Sequence, residues 1–178
     1  MSWILTASGR HFNYLDPRAA DIDILDIAQG LSNECRYAGH TRAFYSVAQH
    51  AWLASQIVPG ICALEALLHD ATEAYCKDIP RPLKQLLPDY QEIEARVDGA
   101  IRSRFNLPLT MSEDVRRADL ILLATERRDL MPADRAPWPI LDGVDALPRK
   151  IVAVQPSRAQ AMFIKRFVEL TTENRRAA

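Results

Sequence analysis

The 178 residues suffice for one domain, able to bury roughly 70% of the surface an unfolded chain exposes. Twenty-two basic side chains against 23 acidic ones leave a formal net charge of −1. With no long Lys/Arg block or basic stripe, this balance argues against a stable, largely electrostatic nucleic-acid partner and confines phosphate recognition to a few arginines.

The longest apolar runs are too short to span a bilayer, and the N-terminus lacks a signal-peptide core, so no membrane association is expected. Cys35, Cys62 and Cys76 are odd in number and lack CxxC spacing. They point to buried thiols in a reducing, cytoplasmic compartment rather than to a disulfide or a zinc knuckle.

Residues 1–16 read as a hairpin: Trp3-Ile4-Leu5-Thr6 and His11-Phe12-Asn13-Tyr14 flank the turn signal Ser8-Gly9, and Asp16-Pro17 ends it. From Ile22 the period becomes helical, with Ile24, Ile27, Ala28 and Leu31 on one face and Asp21 or Asp23 as a cap. A connection over residues 33–40 carries Arg36, Gly39 and His40. A helix over 44–58 follows, with Val47, Ala51, Ala54 and Val58 as its buried stripe, the alanines admitting a close neighbour. Pro59 suits the start of the next helix, which the spacing of Leu64, Leu67, Leu68 and Ala71 carries to about Tyr75. Asp78-Ile79-Pro80-Arg81-Pro82 cannot continue it, because proline lacks the donor and restricts the residue before it.

A polar helix over 90–105 buries Ile93, Val97 and Ile101. Thr110-Met111-Ser112-Glu113 resembles a capping box and opens a helix through Val115, Ala118, Leu122 and about Leu130. Residues 132–148 hold four prolines and read as a loop or lid. A last helix over 157–171 buries Met162, Phe163, Phe167 and Leu170, and the charged tail after Glu173 is expected to fray. The expected fold is a single all-α helical bundle with a small N-terminal β-hairpin.

The chemistry concentrates in Leu68-His69-Asp70-Ala71-Thr72-Glu73. A carboxylate in an apolar helical run is costly unless it is paired or coordinates a metal. His50 upstream and Asp119 downstream lie in apolar helical patterns of their own. For His50 alone, core packing or a surface hydrogen bond is an alternative. Together His50, His69, Asp70 and Asp119 form a mixed nitrogen and oxygen set suited to one divalent ion per subunit, zinc, cobalt or manganese. Glu73, on the same helical face as the pair, can hold water or protonate a leaving oxygen, or else be a solvent-facing glutamate. Arg36 offers a planar fork for phosphate oxygens, or is an ordinary solvated side chain. His40, Asp78, Arg81 and Lys84 are further candidates for substrate contact. Against this, Asp78 can serve as a cap near Pro80 and the two basic residues as surface ion pairs.

The ordered series Cys35-Arg36-Tyr37-Ala38-Gly39-His40, Tyr45-Ser46-Val47-Ala48-Gln49-His50, His69-Asp70-Ala71-Thr72-Glu73-Ala74, Asp78-Ile79-Pro80-Arg81-Pro82-Leu83-Lys84 and Asp119 resembles the HD-domain phosphohydrolases. The similarity runs from about Ile22 to Leu130. It is nearest to the YfbR-like deoxynucleotide hydrolases and a phage-type deoxyadenosine-triphosphate hydrolase group. The resemblance implies an HD-domain helical core with one ion on His50, His69, Asp70 and Asp119, phosphate contact by Arg36, and catalytic participation by Glu73. It also implies a homo-oligomer acting on a deoxynucleotide. Where a YfbR-like enzyme has Arg-Trp this chain has Arg36-Tyr37, and Gly39-His40 looks closer to the triphosphohydrolases.

The leading functional reading is a metal-dependent hydrolase of deoxynucleotide phosphate esters, either a 5′-nucleotidase or a dNTP triphosphohydrolase. For the latter, His40, Arg42, Arg81 or Lys84 are available for the additional phosphates. Two alternatives stand beside it: a phosphodiesterase for a signalling nucleotide, and a non-catalytic, metal-stabilised regulatory or interaction module.

Overall fold

The computed structural model describes residues 1–177, with side chains through residue 172. It is predominantly helical, with one small hairpin at the N-terminus. Strands β1 (Trp3–Leu5) and β2 (His11–Asn13) pair antiparallel in the register Trp3 to Asn13, Ile4 to Phe12 and Leu5 to His11. Gly9 closes the turn at φ 82°, a left-handed conformation that glycine reaches without a Cβ clash.

The hairpin packs beside the helices. Phe12 is fully buried and stacks on Tyr75 at 4.1 Å. The buried Asp26 carboxylate accepts both the Ser8 amide and the Ser8 hydroxyl at 2.7 Å. The Tyr14 hydroxyl donates to the Tyr75 carbonyl at 2.6 Å.

Helix α1 (Ile24–Asn33) is capped by Asp23, whose side chain accepts the Leu25 amide. Helix α2 (Val47–Ile57) starts later than its apolar pattern suggests. Ser46 is held extended by a bridge to Cys35 and caps the helix by accepting the Gln49 amide. Three of the four stripe residues, Val47, Ala51 and Ala54, are fully buried. Helix α2 joins the two halves of the core. Ala48 and Ala51 face a cluster around Ile27, Leu31, Leu67, Ile101 and Phe163, and Ala54 faces a second around Tyr45, Val115, Leu122 and Leu130.

The single helix expected from Pro59 to Tyr75 is broken. A 3-10 turn (Gly60–Cys62) leads into α3 (Ala63–Leu68), and α4 (Glu73–Cys76) resumes after a gap. The backbone stays right-handed but tightens, with Ala71 bonding to Leu68 and Glu73 to Asp70, three residues back instead of four. The His69 side chain supplies a cause. Its Nδ1–H donates to the Ala66 carbonyl at 2.7 Å, the acceptor that the Asp70 amide would use in a continuous α-helix.

Helix α5 (Arg81–Lys84) is one short turn, and α6 (Pro88–Phe105) buries Val97 and Ile101 while Ile93 stays partly exposed. Helix α7 (Glu113–Asp129) is not capped as a box: Ser112 is the N-cap residue and its side chain makes no capping bond. Instead the Ser112 amide donates to Glu65 of α3 at 2.8 Å, so a residue remote in sequence fills the role expected of Glu113.

The segment 132–148 contains a 3-10 turn (Pro139–Leu141) and is fastened to the C-terminal end of α7. Arg127 donates to the Ala136 carbonyl, Arg128 to the Leu147 carbonyl, and Thr125 accepts the Leu147 amide. Helix α8 (Pro156–Ala177) packs against α1, α2 and α3 and buries Ala159, Phe163 and Leu170. Met162 and Phe167 remain partly exposed. The fraying expected after Glu173 falls on side chains outside the described residues.

Gly30 marks the tightest crossing between helices. A Cβ there would stand 2.9 Å from the Cα, Cβ and carbonyl oxygen of Ala74, so α1 lies directly on α4. Helix propensity alone favours Gly30→Ala by about 1 kcal/mol. The clash costs about 1–3 kcal/mol and cancels that gain, so the expected outcome is a net loss of up to about 2 kcal/mol in urea unfolding. A variant as stable as the parent or more so contradicts the close crossing.

Candidate metal centre

The site forms where α2, α3 and α7 converge. His50 comes from the middle of α2 and is fully buried. His69 follows α3 directly, and Asp119 sits on the second turn of α7. One ligand atom from each of these three residues lies within 4.8 Å of the other two, the one such cluster among the described residues. Asp70 falls outside that mutually close set, yet its Oδ2 is 3.2 Å from His69 Nε2 and 3.5 Å from His50 Nε2. All four predicted ligands are therefore in one place, with Asp70 more loosely gathered.

The donor set fits a divalent ion. Both imidazoles are oriented by hydrogen bonds at Nδ1, His69 to the Ala66 carbonyl and His50 to Glu126 Oε1 at 2.6 Å, leaving both Nε2 atoms for the centre. Those atoms stand 3.3 Å apart, and His50 Nε2 is 3.2 Å from Asp119 Oδ1. Two ligands about 2.05 Å from one tetrahedral ion are separated by about 3.3 Å. Charge also matches. With neutral imidazoles, Asp70, Asp119 and Glu126 carry three negative charges against one positive charge on Arg36. A divalent cation balances that excess.

Glu126 is the functional residue that sequence reasoning missed. It is completely buried, and its carboxylate accepts from Tyr37 at 2.6 Å, Tyr45 at 2.9 Å and His50, with Arg36 Nε 3.3 Å away. Burial works to raise its carboxyl, and Arg36, His50 and the Tyr37 hydrogen bond outweigh this, holding it down at about 2. A signal existed. Val115, Ala118, Asp119, Leu122 and Glu126 follow one face of α7, so Glu126 lies two turns after Asp119 at a position where the core stripe calls for an apolar residue.

Arg36 is not a solvated surface side chain. Only 11% of it is exposed, and its Nη1 lies 3.3 Å from Asp70 Oδ2. Its own amide donates to the Tyr45 carbonyl at 2.9 Å, and the backbone after it turns through three successive left-handed residues, Tyr37 (φ 56°), Ala38 (φ 51°) and Gly39 (φ 81°). Such conformations cost a non-glycine residue about 1–2 kcal/mol each. Here they carry the Tyr37 hydroxyl to Glu126.

Glu73 is buried rather than solvent-facing, and its Oε2 has no hydrogen-bond partner. Burial, followed by the charges of Asp70 and Asp78, pushes its carboxyl well above the usual range, while Arg36 and Lys84 pull the other way. Asp78 is half-buried and likewise raised, by burial first. Its side chain caps nothing at α5, while its amide donates to Glu34 at 3.3 Å. Lys84 is bound to Glu94 at 2.7 Å. Arg81 and His40 are exposed on the surface. Arg42 lines a separate cleft of about 450 Å³ with Arg127, Arg128 and Asp134, to which none of the four ligand candidates contributes.

Access is from the Asp119 side. That side chain is 41% exposed, against 20% for Asp70 and essentially none for the two histidines. Burial and Arg36 depress the His50 imidazolium, but Glu126 and Asp119 overcome them and raise it to about 9. A metal must displace that proton. The expected result is about one divalent ion per chain, with apparent affinity climbing as pH rises toward 9. Calorimetric titration across pH checks this, and a flat profile contradicts ligation through His50. Asp119→Ala should abolish most uptake, whereas His40→Ala should leave it unchanged.

No protein-family model matches the chain. It is 54% identical over 172 residues to the uncharacterized protein YfdR of Escherichia coli K12, an alignment spanning 96% of this chain and 97% of that protein. It is also 38% identical over 127 residues to an uncharacterized protein of Rhodobacter capsulatus, covering 66% of this chain and 65% of the relative. No helix among the described residues is long and apolar enough to cross a membrane. At that level of identity over nearly its whole length, the chain belongs to the family of the uncharacterized Escherichia coli protein YfdR.

Proposed function

We propose that this protein is a metal-dependent phosphohydrolase of the HD-domain kind, acting on deoxynucleotide phosphate esters. The observation that carries the proposal is the convergence of His50, His69 and Asp119 within 4.8 Å of one another. Asp70 lies against both histidines, and a buried arginine and a buried glutamate stand beside it. An ion held by His50, His69, Asp70 and Asp119 would supply Lewis-acid polarisation of a phosphoryl oxygen and make water a stronger acid.

The remaining chemistry belongs to the side chains. Arg36, paired with Glu126 near Nε and with Asp70 at Nη1, offers Nη2 to phosphate oxygens and stabilises the charge that develops on them. Burial and the nearby Asp70 and Asp78 charges raise the Glu73 carboxyl above the usual range, which favours its acid form. The proton of that form is available to a leaving oxygen. Asp78, half-buried among the same charges, is the proposed residue for orienting substrate. Arg81, and Lys84 beside its partner Glu94, are the residues proposed for further phosphate contact. The resemblance also brings homo-oligomeric assembly into the proposal, which light scattering over a concentration series reads directly.

The test is incubation of metal-loaded protein with dNMPs, dNTPs, ribonucleotides and cyclic dinucleotides, scoring phosphate and triphosphate separately. Turnover of deoxynucleotides supports the proposal. Exclusive turnover of cyclic dinucleotides, or none at all, overturns it. Glu73→Gln should retain the bound ion and lower turnover by about 10²–10⁴-fold. Arg36→Ala should retain the ion and weaken phosphate binding or the chemical step. Normal hydrolysis by metal-replete Glu73→Gln excludes proton transfer through Glu73.

A further inference from the structure

The Glu126 carboxylate has about four lone-pair sites, takes hydrogen bonds from three donor groups and has the Arg36 guanidinium beside it as an ion pair. His50 Nδ1 and the Tyr45 hydroxyl reach Oε1 at 2.6 and 2.9 Å. The Tyr37 hydroxyl and Arg36 Nε reach Oε2 at 2.6 and 3.3 Å. The two oxygens thus serve two different arms. One arm leads to a metal-ligand candidate, and the other leads to the arginine that would face phosphate. The residue is fully buried on α7, two turns from Asp119, so its backbone is anchored by the same helix that supplies a ligand.

We propose that Glu126 is the positioning residue of this site. One carboxylate holds His50 as the tautomer that presents Nε2 to the metal, and also holds Arg36 in place for an oxyanion, so that cation and anion binding depend on the same side chain. The inference rests on the metal reading above and not on any particular substrate.

Two physical arguments support it. An imidazole whose Nδ1–H is donated to a carboxylate is fixed in ring orientation and made a stronger ligand through Nε2, and loss of such a partner typically weakens metal affinity about 10–100-fold. Second, an amide cannot replace the carboxylate. Gln at this position has one acceptor oxygen, so it can serve the His50 arm or the Arg36 arm, and its NH₂ group then faces donors. A role limited to filling the core predicts a change in stability without a change at the metal. A positioning role predicts a change at the metal in protein that is still folded.

Co²⁺ is the probe, added to the full chain, with affinity and visible absorption spectrum as readouts and inorganic phosphate as the anion. Glu126→Gln should bind Co²⁺ about 10–100-fold more weakly, with an altered spectrum, and the Co²⁺-loaded variant should bind phosphate more weakly. Glu126→Asp keeps the buried charge but falls roughly 1.5 Å short of His50, and should lose Co²⁺ affinity while remaining folded. Tyr37→Phe touches only the Arg36 arm and should alter phosphate binding with Co²⁺ affinity unchanged.

A folded Glu126→Gln or Glu126→Asp with the parent's affinity and spectrum overturns the proposal. Should neither variant fold, the Zn²⁺-loaded parent decides it: nitrogen NMR must show His50 protonated at Nδ1, and protonation at Nε2 overturns it. A parent chain that takes up no Co²⁺ removes the metal reading itself. A parent that binds Co²⁺ but hydrolyses no nucleotide removes the hydrolase reading and leaves Glu126 in its role.

Discussion

The structure of the site depends on keeping one carboxylate, Glu126, charged in a place where water does not reach it. A buried anion is tolerated only when paired and hydrogen-bonded. Here the partners arrive from separate segments: His50 from α2, Arg36 and Tyr37 from the left-handed turn after α1, and Tyr45 from the segment before α2. Satisfying that charge therefore ties α7 to three other parts of the chain. The left-handed backbone at Tyr37 and Ala38 is the strain that accompanies this arrangement.

Around that anchor the two imidazoles are oriented by different means. His50 is fixed by a side chain, and His69 by a backbone carbonyl of its own preceding turn. The second arrangement interrupts the helix. By taking the Ala66 carbonyl, His69 leaves the 68–74 segment in tight i to i−3 turns, which rotate successive side chains by about 120° in place of about 100°. His69, Asp70 and Glu73 thereby fall into one region while Leu67, Leu68 and Ala71 remain in the core. The break is what allows a short stretch of chain to serve the apolar core and a polar centre together.

The rest of the fold holds these pieces in register. Small residues bring helices close at two levels, the alanines of α2 facing both halves of the core and Gly30 of α1 lying on Ala74. The second contact matters for the site because Ala74 adjoins Glu73. Glu65 joins α3 to the start of α7 by accepting the Ser112 amide, and so fixes the helix that carries Asp119 and Glu126. The arginines at the end of α7 are engaged in fastening the proline-rich segment, away from the four ligand candidates.

Much of this was legible in the chain. Period-two runs around Ser8-Gly9 marked the hairpin, and period-3.6 stripes marked α1, α2, α6, α7 and α8, since both patterns arise from local geometry and burial of one face. His50, His69, Asp70 and Asp119 stood out because ionisable groups in apolar patterns need a compensating partner. Glu126 meets the same criterion, but its neighbours in Glu126-Arg127-Arg128-Asp129 are all charged, and a run of charges marks no single member as buried. What the sequence by itself determined was which residues had to be buried and which of those were chemically expensive to bury. Only the tertiary structure decided how that expense was met: the break at His69, the Glu65 bond at Ser112, and the three hydrogen bonds and the arginine on Glu126. Each depends on a partner remote in sequence or on a hydrogen bond that competes with regular helix, and no periodicity along the chain records either.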